Sequence, residues 1–292
     1  MIVAMAKAAT QIKQETDGKV ELQLYPSSSL GTDTDMLSQV RSGALEMFAL
    51  SALVLSTLVP VSAIHGIGFA WQDYDQIWGA MDGDLGAQVR AGISKLNLYP
   101  FEHMWDNGFR QITSSTHPIT SVADLAGFKI RVPPSPLWVS MFKAFGASPT
   151  SINLAETYSA LQTKIVDGHE NPVALILILR MYEVQKYVSI TNHMWDGYWC
   201  VANGRAWNNL PDPFKEIVAK HVEEATMTER KEIHALNDTA QSELIAKGLI
   251  FNTPESAPFR DKLKEAGFYQ SWRAKFGEET WSLLEKHTGK LG

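Results

Sequence analysis

Twice along this chain the same order recurs: a helix, a glycine that stops it, a short apolar strand, a loop and a second helix. In the first half, residues 3–16 carry helical spacing up to Asp17-Gly18. Lys19–Tyr25 then alternates apolar and polar as a strand does, Ser27–Thr32 is a loop, Asp33–Arg41 is helical up to Gly43, and Leu45–Ser51 reads as a buried strand. In the second half a helix over 121–126 stops at Gly127 and a strand follows at 128–132. A helix over 136–145, Gly146, a short strand, a helix over 155–164 and a strand over 165–169 complete the pattern. Strands separated by helices favour α/β layers with parallel strands, since a parallel connection must cross the sheet and a helix is the usual crossing. No stretch of sequence repeats, yet the shared layout predicts two similar lobes.

Residues 212–247 add a longer element. Asp212 suits a helix cap and Pro213 the first turn, and Ile217, Val218, Val222, Ala225, Ile233, Leu236, Ala240 and Leu244 recur at helical spacing until Gly248. About 36 residues at ~1.5 Å each would span roughly 54 Å, more than one lobe of this size. Either one helix links both lobes, or two helices break near Thr226–Thr228. Phe259–Ala266 and Tyr269–His287 are the last helical segments.

Composition removes several classes. The 292 residues are 45% apolar and 20% charged, with a net charge of −6, so there is ample core and no basic stripe of the kind nucleic acid requires. An organic anion must therefore be attracted by particular Arg or Lys residues. Cys200 is the single cysteine, which excludes an internal disulfide and any Cys-based zinc site; flanked by Trp199 and Val201 it reads as a small buried residue. No apolar run reaches the roughly 18 residues of a membrane-spanning helix. The start, Met1-Ile-Val-Ala-Met-Ala-Lys, shows no basic segment followed by an apolar core, so no signal peptide is visible. There is no phosphate-binding loop, no complete dinucleotide fingerprint (Gly66-Ile-Gly-Phe-Ala-Trp71 lacks the third glycine), no nucleophile elbow and no metal-ligand spacing. No cofactor and no catalytic residue are expected.

Chemistry concentrates between Gly127 and Pro172. Phe128-Lys129-Ile130-Arg131-Val132 sets an arginine in an apolar strand. A guanidinium there stays charged and needs a carboxylate, either from a ligand or from an acidic neighbour such as Asp124. Asn171, in Val166-Asp-Gly-His-Glu-Asn-Pro172, offers an amide beside a turn; it would bond a ligand or its own backbone. Arg110 opens a strand after Gly108-Phe109. Trp195, Tyr198 and Trp199 lie in an aromatic segment, 193–200, that would form either core or the apolar wall of a pocket for a larger or aromatic acid.

These residues carry a family resemblance. Asn107-Gly-Phe-Arg-Gln-Ile-Thr113, Asp124-Leu-Ala-Gly-Phe-Lys-Ile-Arg-Val-Pro133, Glu156-Thr-Tyr-Ser-Ala-Leu-Gln162, Val166–Pro172 and Tyr182-Glu-Val-Gln-Lys-Tyr187 stand in family-like order. The chain resembles the solute-binding component of tripartite ATP-independent periplasmic (TRAP) transporters, the DctP type, from Gly18-Lys-Val-Glu-Leu onward. The resemblance implies a two-lobed periplasmic binding protein-like α/β fold with a long interlobe helix, and lobes over 1–107 plus 197–235 and over 108–196 plus 236–292. It implies a small organic acid (a dicarboxylate, sugar acid, or aromatic or keto acid) held in the cleft by Arg131 and Asn171. Ser51 would face the cleft and Leu154 would pack on the ligand; Arg110 makes a second contact in some members and is structural in others. His169 stands where the family usually has Gln. A periplasmic monomer that delivers its ligand to membrane permease subunits follows from the same likeness. The family also opens with a strand before the first helix, so the reading expects a missing N-terminal portion. Two rivals remain: a ligand-presenting partner of a receptor kinase, and an α/β enzyme acting on an organic acid, which would need a base or nucleophile beside Arg131.

Overall fold

The computed structural model describes residues 1–292. Ten strands run in chain order as β1 (Met47–Ser51), β2 (Leu98–Pro100), β3 (Trp105–Phe109), β4 (Gln111–Ser114), β5 (Lys129–Val132), β6 (Ser148–Ser151), β7 (Gly168–Asn171), β8 (Tyr187–Ser189), β9 (Trp195–Asn203) and β10 (Ile250–Asn252). They form two sheets, one for each lobe.

The first sheet is organised by β9. It runs antiparallel to β1 on one side; on the other, β3 lies beside its first half and β2 beside its second. The second sheet has the order β10-β8-β4-β7-β5-β6. Its β5 lies parallel to both β6 and β7, β10 parallel to β8, and β4 antiparallel to β7 and β8. The parallel pairing expected from helix–strand alternation therefore holds only for part of the second sheet. In the first sheet it is overturned, because β9 returns from the second sheet and enters against the direction of its neighbours.

Two strand crossings join the sheets. β3 leads into β4 through the single residue Arg110, and β8 leads into β9 through residues 190–194. The crossings touch each other, the Arg110 amide donating to the Met194 carbonyl at 2.8 Å. The third link is the long helix Asp212–Ala246. Its 35 residues are unbroken, a span of about 52 Å, so the two-helix alternative is excluded. Val218, Val222, Ala225, Ala240 and Leu244 form its buried stripe, and it packs on the N-terminal helix Ile2–Glu15, on β3 and on the helix Val173–Ile178. Helical spacing of apolar residues thus ties one element to both sheets.

Three local expectations are corrected. Lys19–Tyr25 forms no strand: Val20, Leu22 and Leu24 pack on the core while the backbone has no ladder. Alternation places the side chains, but a strand also needs a neighbour for its N–H and C=O groups. The segment 121–126 shrinks to one 3₁₀ turn, Val122–Leu125, held by a Ser121/Asp124 capping box. The C-terminal segment splits into Ala257–Glu265, Phe268–Phe276 and Glu278–Thr288, because Gly277 takes φ +82° and ends the middle helix. The last of these helices rests on Tyr74–Met81 and Asp84–Ser94, beside the first sheet.

Candidate functional site

Arg131 sits on β5, an inner strand of the second sheet, and is 1% exposed. Its Nε donates to the Ile152 carbonyl at 2.8 Å, which fixes the plane of the guanidinium. Its Nη1 and Nη2 are buried with no partner. Burial pushes its pKa down to about 10, with Glu170 and Asp33 opposing that shift, so the group stays charged at neutral pH. A buried cation with two unused donors side by side costs several kcal/mol unless a partner arrives. The acidic neighbour considered from sequence, Asp124, is not that partner. Its carboxylate accepts from the amides and hydroxyls of Thr120 and Ser121.

Arg131 opens into a cavity of about 60 Å³ whose walls come from both lobes. Of the residues singled out in the sequence, Ser51, Arg110, Arg131, Leu154, Asn171 and Tyr198 line it. Trp195 does not. Successive side chains of a strand point to opposite faces, so on β9 Asp196 and Tyr198 share the cavity face while Trp195 and Trp199 share the other. Trp195 is fully buried, its indole donates to Asp106 at 2.8 Å, and it packs edge-on against Trp78 and His65. The aromatic surfaces at the cavity are Tyr198 and, from the helix Pro136–Ala144, Trp138.

Arg110 is spoken for. Its Nε pairs with Glu170, Nη2 donates to Glu170 Oε1 at 2.8 Å, to the Glu170 carbonyl at 2.7 Å and to Asn171 Oδ1 at 2.8 Å, and Nη1 lies 3.5 Å from Asp196. Its guanidinium also lies 4.8 Å from the centre of the Trp138 ring. Burial alone would raise the Glu170 carboxyl, but Arg110 and His193 outweigh it and hold it well below the usual carboxylate range. Arg110 and Glu170 thus cancel each other, and the net positive charge of the second wall is left on Arg131. Asn171 is held at both ends, its Nδ2 also lying 3.0 Å from His169 Nδ1. Burial, reinforced by Arg131, holds His169 neutral, pushing it down to about 3.

The opposite wall carries groups that the sequence did not single out. Asp196 accepts from Ser51 Oγ at 2.9 and 3.0 Å and from Asn107 Nδ2 at 3.2 Å, with His65 Nε2 3.2 Å away. Asn107 reaches it because β3 slips register between Asp106 and Gly108, a bulge that re-aims one side chain. Asp33 begins the helix Asp33–Ser42, and its carboxylate accepts weakly from the Leu154 amide across the cleft at 3.4 Å. Burial raises the Asp33 carboxyl, opposed by that amide and by Arg131. Asn153 Nδ2 to Thr34 Oγ1 at 3.3 Å and Ser56 to Ser135 at 3.2 Å are further contacts between residues of the two lobes. The lobes are closed over the cavity. A larger open groove of about 450 Å³ beside Leu37, Arg41 and Leu58 includes no buried unpaired charge.

Comparison with known proteins agrees with this geometry. The profile of the bacterial extracellular solute-binding proteins, family 7 (DctP), matches residues 2–272. A Sinorhizobium fredii protein, y4mM, is 37% identical over 194 residues, a match that spans 66% of this chain but 36% of that protein. The 2,3-diketo-L-gulonate-binding periplasmic protein YiaO of Escherichia coli is 31% identical over 78% of this chain and 70% of its own length. Among solved structures, a TRAP periplasmic solute-binding protein of Roseobacter denitrificans with bound β-D-glucuronate superposes with a TM-score of 0.93 at 27% identity, covering 99% of this chain and 95% of that one. One from Sulfurospirillum deleyianum with bound succinate gives 0.91 at 27% identity, over 98% and 93%. Superposition over nearly the whole chain gives the two sheets and their crossings the same fold as these binding proteins, and no helix here is long and apolar enough to cross a membrane. The chain belongs to the bacterial extracellular solute-binding proteins of family 7, the DctP family of TRAP transporters, and is an extracytoplasmic solute-binding protein rather than an enzyme.

Proposed function

We propose that Arg131 receives the carboxylate of a small organic acid on Nη1 and Nη2, with Asn171 beside it and Ser51, Leu154 and Tyr198 completing the enclosure. The observation that carries this reading is the buried guanidinium with both terminal nitrogens unused. Arg110 acts through Glu170 and Asn171, holding the amide in place rather than touching the acid. Trp195 supports the crossing strand from behind. We place the protein in the periplasm as a monomer whose closed form is offered to a membrane permease. The lobes part as 1–107 plus 197–235 and 108–196 plus 236–292, although at the two crossings Gly108, Phe109, Trp195 and Asp196 pair within the first sheet and the last helix packs beside that sheet. Closure is favoured because groups of both walls meet the same ligand only when the lobes are together.

The test is thermal stability against a panel of organic acids, for the protein and for Arg131→Ala. A ligand at about 100 times its Kd adds roughly 2.7 kcal/mol, which is readily seen. A shift with one acid class that disappears in Arg131→Ala is the expected result. An undiminished shift in the variant would remove Arg131 from the clamp.

A further inference from the structure

His169 is fully buried on β7. It stands beside Arg131 of the parallel strand β5 as its register partner, so both side chains leave the same face of the sheet. Its ring makes one side-chain contact, Nδ1 to Asn171 Nδ2 at 3.0 Å.

Donors and acceptors leave one solution for that contact. A guanidinium only donates, so Arg110 Nη2, at 2.8 Å, requires the Asn171 atom facing it to be Oδ1. Nδ2 then faces His169. An amide nitrogen also only donates, so His169 Nδ1 accepts and the ring proton sits on Nε2. An imidazolium would set Nδ1–H against Asn171 Nδ2–H, and turning the amide round would set Nδ2 against Arg110 instead. The charges agree. Arg131 on β5 and Arg110 at the crossing oppose a positive ring, and Glu170 on β7 is the carboxylate that favours one; burial and Arg131 prevail, which keeps the ring neutral well below its ordinary value of 6.5.

The other nitrogen carries the cost. Nε2–H is buried with no partner, and an unpaired buried donor destabilises a fold. Stability alone therefore gives no reason for a histidine here. What the ring supplies is the acceptor at Nδ1. Asn171 lines the cavity. With Oδ1 given to Arg110 and one Nδ2 hydrogen to His169, its second Nδ2 hydrogen is the one free for a ligand.

We propose that His169 is a positioning residue for acid binding, whose bare Nδ1 fixes the Asn171 amide so that an N–H faces the acid. The proposal rests on the reading of Arg131 and Asn171 as the clamp. A glutamine carboxamide bears an acceptor and a donor at its two ends, as this tautomer does, and can take over the role. A leucine cannot.

The experiment joins nitrogen NMR to calorimetric titration. With ¹⁵N-labelled histidine, His169 is identified among the eight histidines as the signals missing from His169→Gln. A protonated Nε2 and a bare Nδ1 are expected, unchanged from about pH 8 to about pH 5, where an ordinary imidazole titrates. Titration uses D-glucuronate, D-erythronate and succinate, and the tightest of the three is followed in the variants. His169→Leu is expected to bind it at least about fivefold more weakly, as the loss of one hydrogen bond implies. The melting temperature of the ligand-free variant stays within about 3 °C of the parent, because an unpaired donor goes with the acceptor. His169→Gln is expected to bind within about twofold of the parent. A proton on Nδ1, a titration inside that pH range, or parental affinity in His169→Leu would overturn the proposal. So would His169→Gln binding as weakly as His169→Leu. If His169→Leu does not fold, the tautomer and the His169→Gln affinity decide. Arg131→Ala, run alongside, separates the two readings. Binding lost there and intact in His169→Leu leaves the clamp standing and removes His169 from it. Undiminished binding in Arg131→Ala, or none of the three acids bound by the parent, overturns the clamp and the proposal with it.

Discussion

Replacing Glu170 by Gln is a severe perturbation at the boundary between the lobes. Glu170 is fully buried, and its carboxylate pairs with the Nε and Nη2 edge of the Arg110 guanidinium, with His193 Nε2 3.3 Å away. The amide removes the negative charge and leaves Arg110, itself 2% exposed, with Asp196 at 3.5 Å as the one carboxylate near it, beside its neutral partners Asn171 and the Glu170 carbonyl. Breaking one side of a buried pair costs about 3–5 kcal/mol, mostly from the charge left behind. For a chain of this length about 2–4 °C of melting temperature accompanies each kcal/mol, so the expected fall is roughly 6–20 °C. The assay is thermal or urea unfolding followed by far-UV circular dichroism. The pH dependence supplies a second reading. Because the folded carboxyl is held below its ordinary value of 4.5 by Arg110 and His193, its contribution is complete above about pH 4.5 and is lost as pH falls through the lower folded value. In Glu170→Gln that part of the acid sensitivity disappears. Replacing both partners, Arg110→Met with Glu170→Leu, recovers a large part of the loss, since no buried charge remains. A single-variant loss below about 1 kcal/mol, or unchanged acid sensitivity, would refute the reasoning.

Trp195→Phe loses the bond to Asp106 and some packing, so stability falls by about 1–2 kcal/mol, while acid affinity measured by titration stays within about twofold. Asp124→Ala removes the cap over residues 120–125 and costs about 1 kcal/mol, again with affinity unchanged; a lost affinity would return Asp124 to the role of partner for Arg131. Gly108→Ala forces a side chain onto φ +117°, with its Cβ 3.1 Å from Asn237 Nδ2 and 3.2 Å from Pro172 Cβ. About 1–3 kcal/mol of stability is expected to go, measured by urea unfolding.

The architecture was legible where it depends on local signals. Glycine stops, apolar periodicity and the long run from Asp212 read directly, because each element's buried face is written in its own spacing. Strand direction was not, since β9 runs antiparallel only because the chain returns from the other sheet. Lys19–Tyr25 shows the same limit: its alternation is correct, and its hydrogen-bond partners are not a local property. At the site, Arg131 stands out because a charge in an apolar strand demands explanation and Asn171 because an amide sits at its turn, while the family resemblance added Ser51 and Leu154; all four line the cavity. The choice of Trp195 ignored strand parity. Counting by twos from Tyr198 leads to Asp196 and away from Trp195, a signal that was present. Asp33 was hidden, because nothing in the first turn of a surface-like helix marks it as facing a cleft 121 residues away along the chain, at Leu154. Asn107 was hidden as well, being delivered by a bulge.

The most direct measurement is the crystal structure of the protein with the acid that stabilises it most. The account predicts one carboxylate bound edge-on to Arg131, each oxygen within about 2.7–3.1 Å of Nη1 or Nη2, with Arg110 still closed on Glu170. A ligand whose carboxylate lies on another residue, with Arg131 left unpaired or paired to a protein carboxylate, would contradict it.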